Sequence, residues 1–193
     1  MTMTAQEHKE RTARSYKLLL LFAMGSMTMM FAGIVSAFVV SKSREDWMQD
    51  FNFPTPFYFS TIAIILCSVT FHLAKKAIQK DDRKLTTMML LATLALGAGF
   101  VFCQFQGFEE LIKDRYFFTG PESNITTTFL YVIVTLHLAH LAGGIISLLI
   151  IIYNHFKQKY NSTQLLGIEL GAMYWHFLDF LWICLFLFLY FFK

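Results

Sequence analysis

Charge is scarce in this chain of 193 residues. Asp, Glu, Lys and Arg make up 15% of it, against about 25% in an ordinary soluble domain, too few to coat a globule in water. Five apolar stretches, Leu18–Val40, Phe57–Ala74, Leu85–Gln106, Thr127–Tyr153 and Ile168–Phe192, hold only two charged residues, Glu169 and Asp179. Proline and cysteine are equally sparse, three of each. Pro54 and Pro56 interrupt structure just before the second stretch, and Gly120-Pro121 lies in the connection before the fourth. Cys67, Cys103 and Cys184 fall inside stretches, without metal-motif spacing, and read as small apolar packing residues. These shortages exclude a soluble enzyme, a secreted disulfide scaffold and a nucleic-acid-binding domain. The formal net charge of +3 comes from the segments flanking the stretches, so no nucleic-acid partner follows from it.

Apolar side chains fill the space that charge leaves: 56% of residues are hydrophobic, 17% aromatic, and the mean hydropathy is +0.51. Each stretch lies within or near the ~17–25 residues needed to cross a hydrocarbon core of roughly 30 Å. In lipid the backbone must satisfy its own hydrogen bonds, which makes a helix the default. A membrane β-barrel would alternate polarity along strands of about 10 residues; runs such as Leu148-Leu149-Ile150-Ile151-Ile152 do not. The expected fold is therefore all-α, a polytopic membrane protein of five transmembrane helices in one domain covering 1–193. Connections of about 10–20 residues leave no room for a folded extramembrane unit. Val35-Ser36-Ala37 loosely resembles a signal-peptide cleavage site, but the apolar run before it exceeds the 7–15 residues of a signal core, so the first helix is expected to be kept.

Orientation follows from the lysines and arginines of the flanks. Lys9, Arg11, Arg14 and Lys17 precede the first stretch, Lys75, Lys76, Lys80, Arg83 and Lys84 follow the second, and Lys157 and Lys159 follow the fourth. The opposite side has only Lys42, Arg44, Lys113, Arg115 and Lys193. The N-terminus is expected in the cytoplasm and the C-terminus outside.

Polar groups inside the bilayer are costly, so each needs a partner or a job. Thr61, Ser68 and His72 form one helical stripe in the second stretch, and Thr93, Gly97, Phe100 and Gln104 share a face of the third. In the fourth, His137 and His140 lie one turn apart, followed by Gly143, Gly144 and Ser147. These small residues are expected to allow close helix packing. In the fifth, Trp175, Asp179 and Trp182 recur along one side, with His176 a turn before Asp179 and Glu169 near the inner surface. At 1.5 Å per residue, His140 is roughly 20 Å and Asp179 roughly 17 Å from the starts of their helices, so both sit near the midplane. A lone carboxylate there is disfavoured as an anion. Asp179 must be protonated or paired, and His140, His137 and His176 are the available partners. Two histidines one turn apart can in principle bind a metal, but no cysteine ligand lies nearby and no metal site is expected.

The residues now resemble a known pattern. Glu169 followed by Tyr174-Trp175-His176-Phe177-Leu178-Asp179 and Trp182 is similar to the last-helix signature of subunit III of haem–copper oxidases. Thr135, His137-Leu138-Ala139-His140 and Gly143 resemble that family's paired-histidine segment. Ser60-Thr61, Cys67-Ser68-Val69-Thr70, Leu96-Gly97, Phe100 and Gln104 fit its second- and third-span elements. The resemblance runs through all five stretches and matches the short bacterial form. It implies a non-catalytic subunit of a terminal oxidase in the bacterial cytoplasmic membrane, which reduces oxygen with electrons from cytochrome c or quinol and pumps protons. Its partners would be oxidase subunits I and II, with a larger respiratory supercomplex left open. No cofactor is expected in this subunit besides bound phospholipid; haem and copper belong to the partner subunits. His137, His140, Glu169, Trp175, His176 and Asp179 are implied to form an internal polar network and lipid cleft that supports proton uptake and durability. Ser26-Met27 stands where the family carries Ser-Glu, which removes a carboxylate linked to lipid and proton effects. Leu136 and Ala139 replace family glycines.

Three other readings compete. A b-type haem carrier needs facing histidines at matched depth, and His72, near the inner end of its span, is expected to have none opposite. A proton-coupled transporter using Asp179 would often show interrupted helices. An intramembrane protease needs a serine and histidine in contact, whereas Ser147 and His140 are about two turns apart.

Overall fold

The structure is a computed structural model that describes residues 5–44, 46–48, 53–120, 123–162 and 164–192. Lys193 and Pro121, used above, lie outside the described residues. The chain forms five long helices, α1 (Ala5–Val40), α2 (Thr55–Gln79), α3 (Arg83–Lys113), α4 (Ile125–Phe156) and α5 (Leu166–Phe191), with one 3-10 turn at Ser41–Ser43. Even α2, with 25 residues, reaches about 38 Å, and all five are long and apolar enough to cross a membrane.

The helices outrun their apolar stretches. Apolarity ends where hydrocarbon ends, but helical hydrogen bonding continues into water wherever the chain permits. Thus α1 takes in the charged run before Leu18, and α3 continues through Glu109 and Glu110 to Lys113. The link between α2 and α3 shrinks to Lys80–Asp82, much shorter than the 10–20 residues expected from the apolar runs. Asp81 turns the chain there with a left-handed φ of 56°. Asp82 then caps α3 by accepting the Leu85 N–H at 3.1 Å, satisfying a donor that a helix start leaves open. Asn124 does the same for α4, accepting the Thr127 N–H at 2.9 Å. α2 begins Thr55-Pro56, where the missing proline N–H costs nothing.

α5 is the most buried helix and packs against α1, α2 and α4. α2 and α3 form a close hairpin: a Cβ on Gly107 would lie 2.6 Å from the Phe57 ring. α1 is the least buried. It attaches through a narrow seam in which Met24, Phe31 and Phe38, spaced by two turns, are buried and Met30, Ile34 and Val35 pack beside them. Phe38 meets Trp47, Phe129 and Phe188 at ring-centroid distances of 4.8, 5.7 and 5.5 Å.

One end of the bundle is tied together by polar contacts. Asp81 accepts the Ser162 N–H at 2.9 Å, Arg83 reaches the Tyr160 carbonyl at 3.3 Å, and Thr87 Oγ1 is 2.9 Å from His155 Nε2. These bonds join the α2–α3 hairpin to the end of α4 and the α4–α5 loop. Lys17 pairs with Glu169 and Lys9 shares a pocket with Lys159, so all three lysine-rich segments share that end.

Candidate functional site

Asp179 lies on the buried face of α5, 2% exposed, and neither of its carboxyl oxygens has a hydrogen-bond partner. It lies between His176 and Trp182 on the face of α5 that bonds to α2. The expected pairing with an imidazole is absent among the described residues. His140 turns its Nδ1 to the Leu136 carbonyl of its own helix, 2.7 Å away. His137 is fully buried with both ring nitrogens unpartnered, held between the rings of Phe100 and Trp182 at 5.9 and 5.0 Å. His176 reaches across to α2, its Nδ1 2.6 Å from Ser68 Oγ. The reason is direction rather than depth. His137 and His140 ride on α4, whereas Asp179 points at α2.

The α2 stripe is instead read by α5, residue by residue. Thr61 Oγ1 accepts the Trp182 indole N–H at 3.0 Å, Ser68 holds His176, and the ring of His72 lies 6.2 Å from that of His176. His72 therefore does have a histidine at its own level, contrary to expectation. Gln104 donates to Ser60 Oγ at 2.9 Å from α3, leaving its Oε1 unpartnered. Trp175 is buried over Gly97, where an added Cβ would come within 3.3 Å of the indole. Glu169, near the lysine-rich end, pairs with Lys17 of α1 at 2.6 Å.

The small residues of α4 divide their roles. A Cβ on Gly144 would meet Leu178 at 3.1 Å and Trp175 at 3.4 Å, so this glycine lets α4 and α5 close up. Gly143 is exposed beside Tyr174 and lines a groove instead. Ser147 spends its hydroxyl on the Gly144 carbonyl at 2.7 Å, and with His140 committed to Leu136 the two form no nucleophile–base pair.

The groove, about 860 Å³, runs between α1, α4 and α5 and is lined by Leu20, Ile150, Ile151 and Leu170 together with Tyr16, Ser147, Asn154, Tyr160 and Tyr174. None of the six residues expected to form a lipid cleft lines it. Tyr16, Asn154 and Tyr160 were not singled out in the sequence, since an isolated polar residue at a helix end carries no periodic signal. Two smaller cavities, about 280 and 290 Å³, open between α2 and α5 and share His72 and His176 as walls. Among the described residues no three His, Cys, Asp or Glu side chains gather into a set able to hold a metal ion.

A sequence model of the cytochrome c oxidase subunit III family matches residues 2–193. The chain belongs to that family. It is 29% identical to a cytochrome c oxidase subunit 3 of Thermostichus vulcanus over 193 residues, 98% of this chain and 93% of the relative. Over 133 residues it is 29% identical to a cytochrome bo(3) ubiquinol oxidase subunit 3 of Buchnera aphidicola, covering 69% of each. A cytochrome c oxidase subunit 3 from Bacillus sp. strain PS3 is 25% identical over 84% of this chain and 79% of its own. The family's last-helix signature, quoted above from the sequence, is the part of α5 that meets the α2 stripe.

Proposed function

We propose that this chain is the non-catalytic subunit III of a proton-pumping terminal haem–copper oxidase in the bacterial cytoplasmic membrane. Electrons from cytochrome c or a quinol reach oxygen in subunits I and II, which carry the haem and copper. This chain docks on subunit I, holds structural phospholipid, and sustains proton uptake and durability of the catalytic subunit. The observation that carries the reading is the family match from residue 2 to residue 193.

Two features support the finer parts. The lysine-rich segments gather at one end of the bundle, which favours a cytoplasmic N-terminus and an external C-terminus. The apolar groove between α1, α4 and α5 shares Tyr160 and Gly167 with an adjoining pocket of about 700 Å³ that includes Lys9 and Lys159. An acyl chain suits the first and an anionic phosphate the second.

Removing the chain from the purified oxidase tests the role. The expected result is a complex that starts at an undiminished rate of donor oxidation, takes up protons more slowly and loses activity during turnover. A depleted complex as durable as the intact one overturns the proposal.

A further inference from the structure

α1 is one unbroken helix from Ala5 to Val40, yet its two halves are held differently. Beyond Gly25 it rests on the buried Phe31 and Phe38, with Met30, Ile34 and Val35 beside them. From Gln6 to Ala23 not one residue is buried. That arm overhangs two cavities that share Tyr160. Tyr16 and Leu20 wall the groove of about 860 Å³, and His8, Lys9, Thr12 and Ala13 wall the pocket of about 700 Å³ beside the α4–α5 loop. The Lys17–Glu169 pair latches the arm to α5 at 2.6 Å, with the two side chains 44% and 28% exposed. An ion pair so open to solvent is weak enough to break and re-form.

A weak point lies between the halves. Gly25-Ser26 is a pair of the kind at which helices kink, and glycine loosens a helix interior. Thr28 donates its hydroxyl to the Met24 carbonyl at 2.9 Å, a bond that competes with the helix's own and bends it. A Cβ at Gly25 would meet nothing within 4 Å, so close packing is not what requires this glycine.

We propose that the arm of α1 before Gly25 is a gate over the groove between α1, α4 and α5. It swings about Gly25-Ser26 when the Lys17–Glu169 pair opens, uncovering the groove at the lysine-rich end so that its occupant enters or leaves. Lys17 lies eight residues from the hinge and Arg11 fourteen, about 12 and 21 Å at 1.5 Å per residue. A swing of about 20°, the size of a sharp kink, carries Lys17 about 4 Å and Arg11 about 7 Å. That separates the pair and draws Tyr16 and Leu20 away from α4 and α5. Phe31 and Phe38 stay seated because they lie beyond the hinge. That the occupant is a phospholipid rests on the reading above; the swing depends only on groups of this chain.

Pulsed EPR distance measurement on the full chain in lipid nanodiscs tests it. Spin labels go on the exposed Arg11→Cys and Lys157→Cys, with Cys103 and Cys184 changed to serine and the buried Cys67 kept. With latch and hinge intact, one short distance is expected to dominate. Glu169→Gln and Lys17→Gln should each raise a population longer by about 7 Å some two- to fivefold, as loss of an exposed ion pair allows. Lys17→Arg, which keeps the charge, should not. Adding Gly25→Ala and Ser26→Ala to Glu169→Gln should return the short distance, because alanine favours helix and fits at Gly25. A distribution unchanged by both latch variants, or a long-distance population undiminished by the hinge alanines, would overturn the proposal. Either result would leave the oxidase reading standing, since the measurement involves no partner subunit.

Discussion

Trp182 sits among Phe57, Phe100 and His137, and its indole N–H has Thr61 as acceptor. Thr61→Val keeps the shape but strands that donor, so a loss of about 1–3 kcal/mol is expected, with most of it recovered by Thr61→Ser. Chemical unfolding in detergent checks this; a T61V protein as stable as wild type would contradict it. Outside the membrane, burial pushes the Tyr160 phenol above its usual value, offset in part by Asn154. A raised folded value means the contribution is present below about pH 10, the ordinary value for tyrosine, and is lost as pH rises through the folded value. Wild type should therefore lose thermal stability in alkali more steeply than Tyr160→Phe; parallel curves would refute the point. Arg44 holds the Asp46 carboxyl below the usual carboxylate range, but both side chains are exposed, and Asp46→Asn should leave global stability unchanged. At this scale the sequence reveals depth but not direction. The midplane position of Asp179 follows from counting residues, whereas its facing α2 depends on how α5 is rotated, which no single stretch encodes.

Two glycines on α3 show how packing acts at the scale of a helix. An added Cβ at Gly107 would lie 2.6 Å from Phe57, while at Gly99 it would meet nothing within 4 Å. Gly107→Ala is expected to push α2 and α3 apart at a cost of about 1–3 kcal/mol. Gly99→Ala should be neutral or stabilising by about 0.5–1 kcal/mol, since alanine favours helix. The stability difference between the two variants is the check. α1 depends on its narrow seam, so Phe38→Ala, at about 3–5 kcal/mol, should release α1 while α2–α5 stay folded. Loss of a zero-length carbodiimide cross-link between Lys17 and Glu169 would report that release. All five helices are legible in the sequence because hydrocarbon forces apolar runs into helices. Their ends are not, because α1 and α3 continue through charged residues that water tolerates. Gly143 and Gly144 look alike in sequence, yet α5 closes tightly only on Gly144, while Gly143 meets just the Tyr174 hydroxyl at the groove, since adjacent residues on a helix point about 100° apart.

At the scale of the whole molecule, apolar side chains cover the outside as well as the core. Phe59, Ile62, Ile65 and Leu66 of α2 and Phe102 and Phe105 of α3 are exposed, as suits a surface facing lipid or partner helices. The last-helix signature made the family legible before any geometry, because it concentrates costly polar residues where few chains carry them. The groove between α1, α4 and α5 was not legible, because its walls come from three helices far apart in sequence. As proposed above, this bundle is an accessory part of a larger oxidase. Mild-detergent purification of the tagged chain, with mass spectrometry of co-purifying chains and a visible absorption spectrum, tests it most directly. The chain is expected to be recovered with haem-bearing subunit I and with subunit II, and to be colourless once stripped from them. A chain recovered alone, or one that keeps haem absorbance after separation, would contradict it.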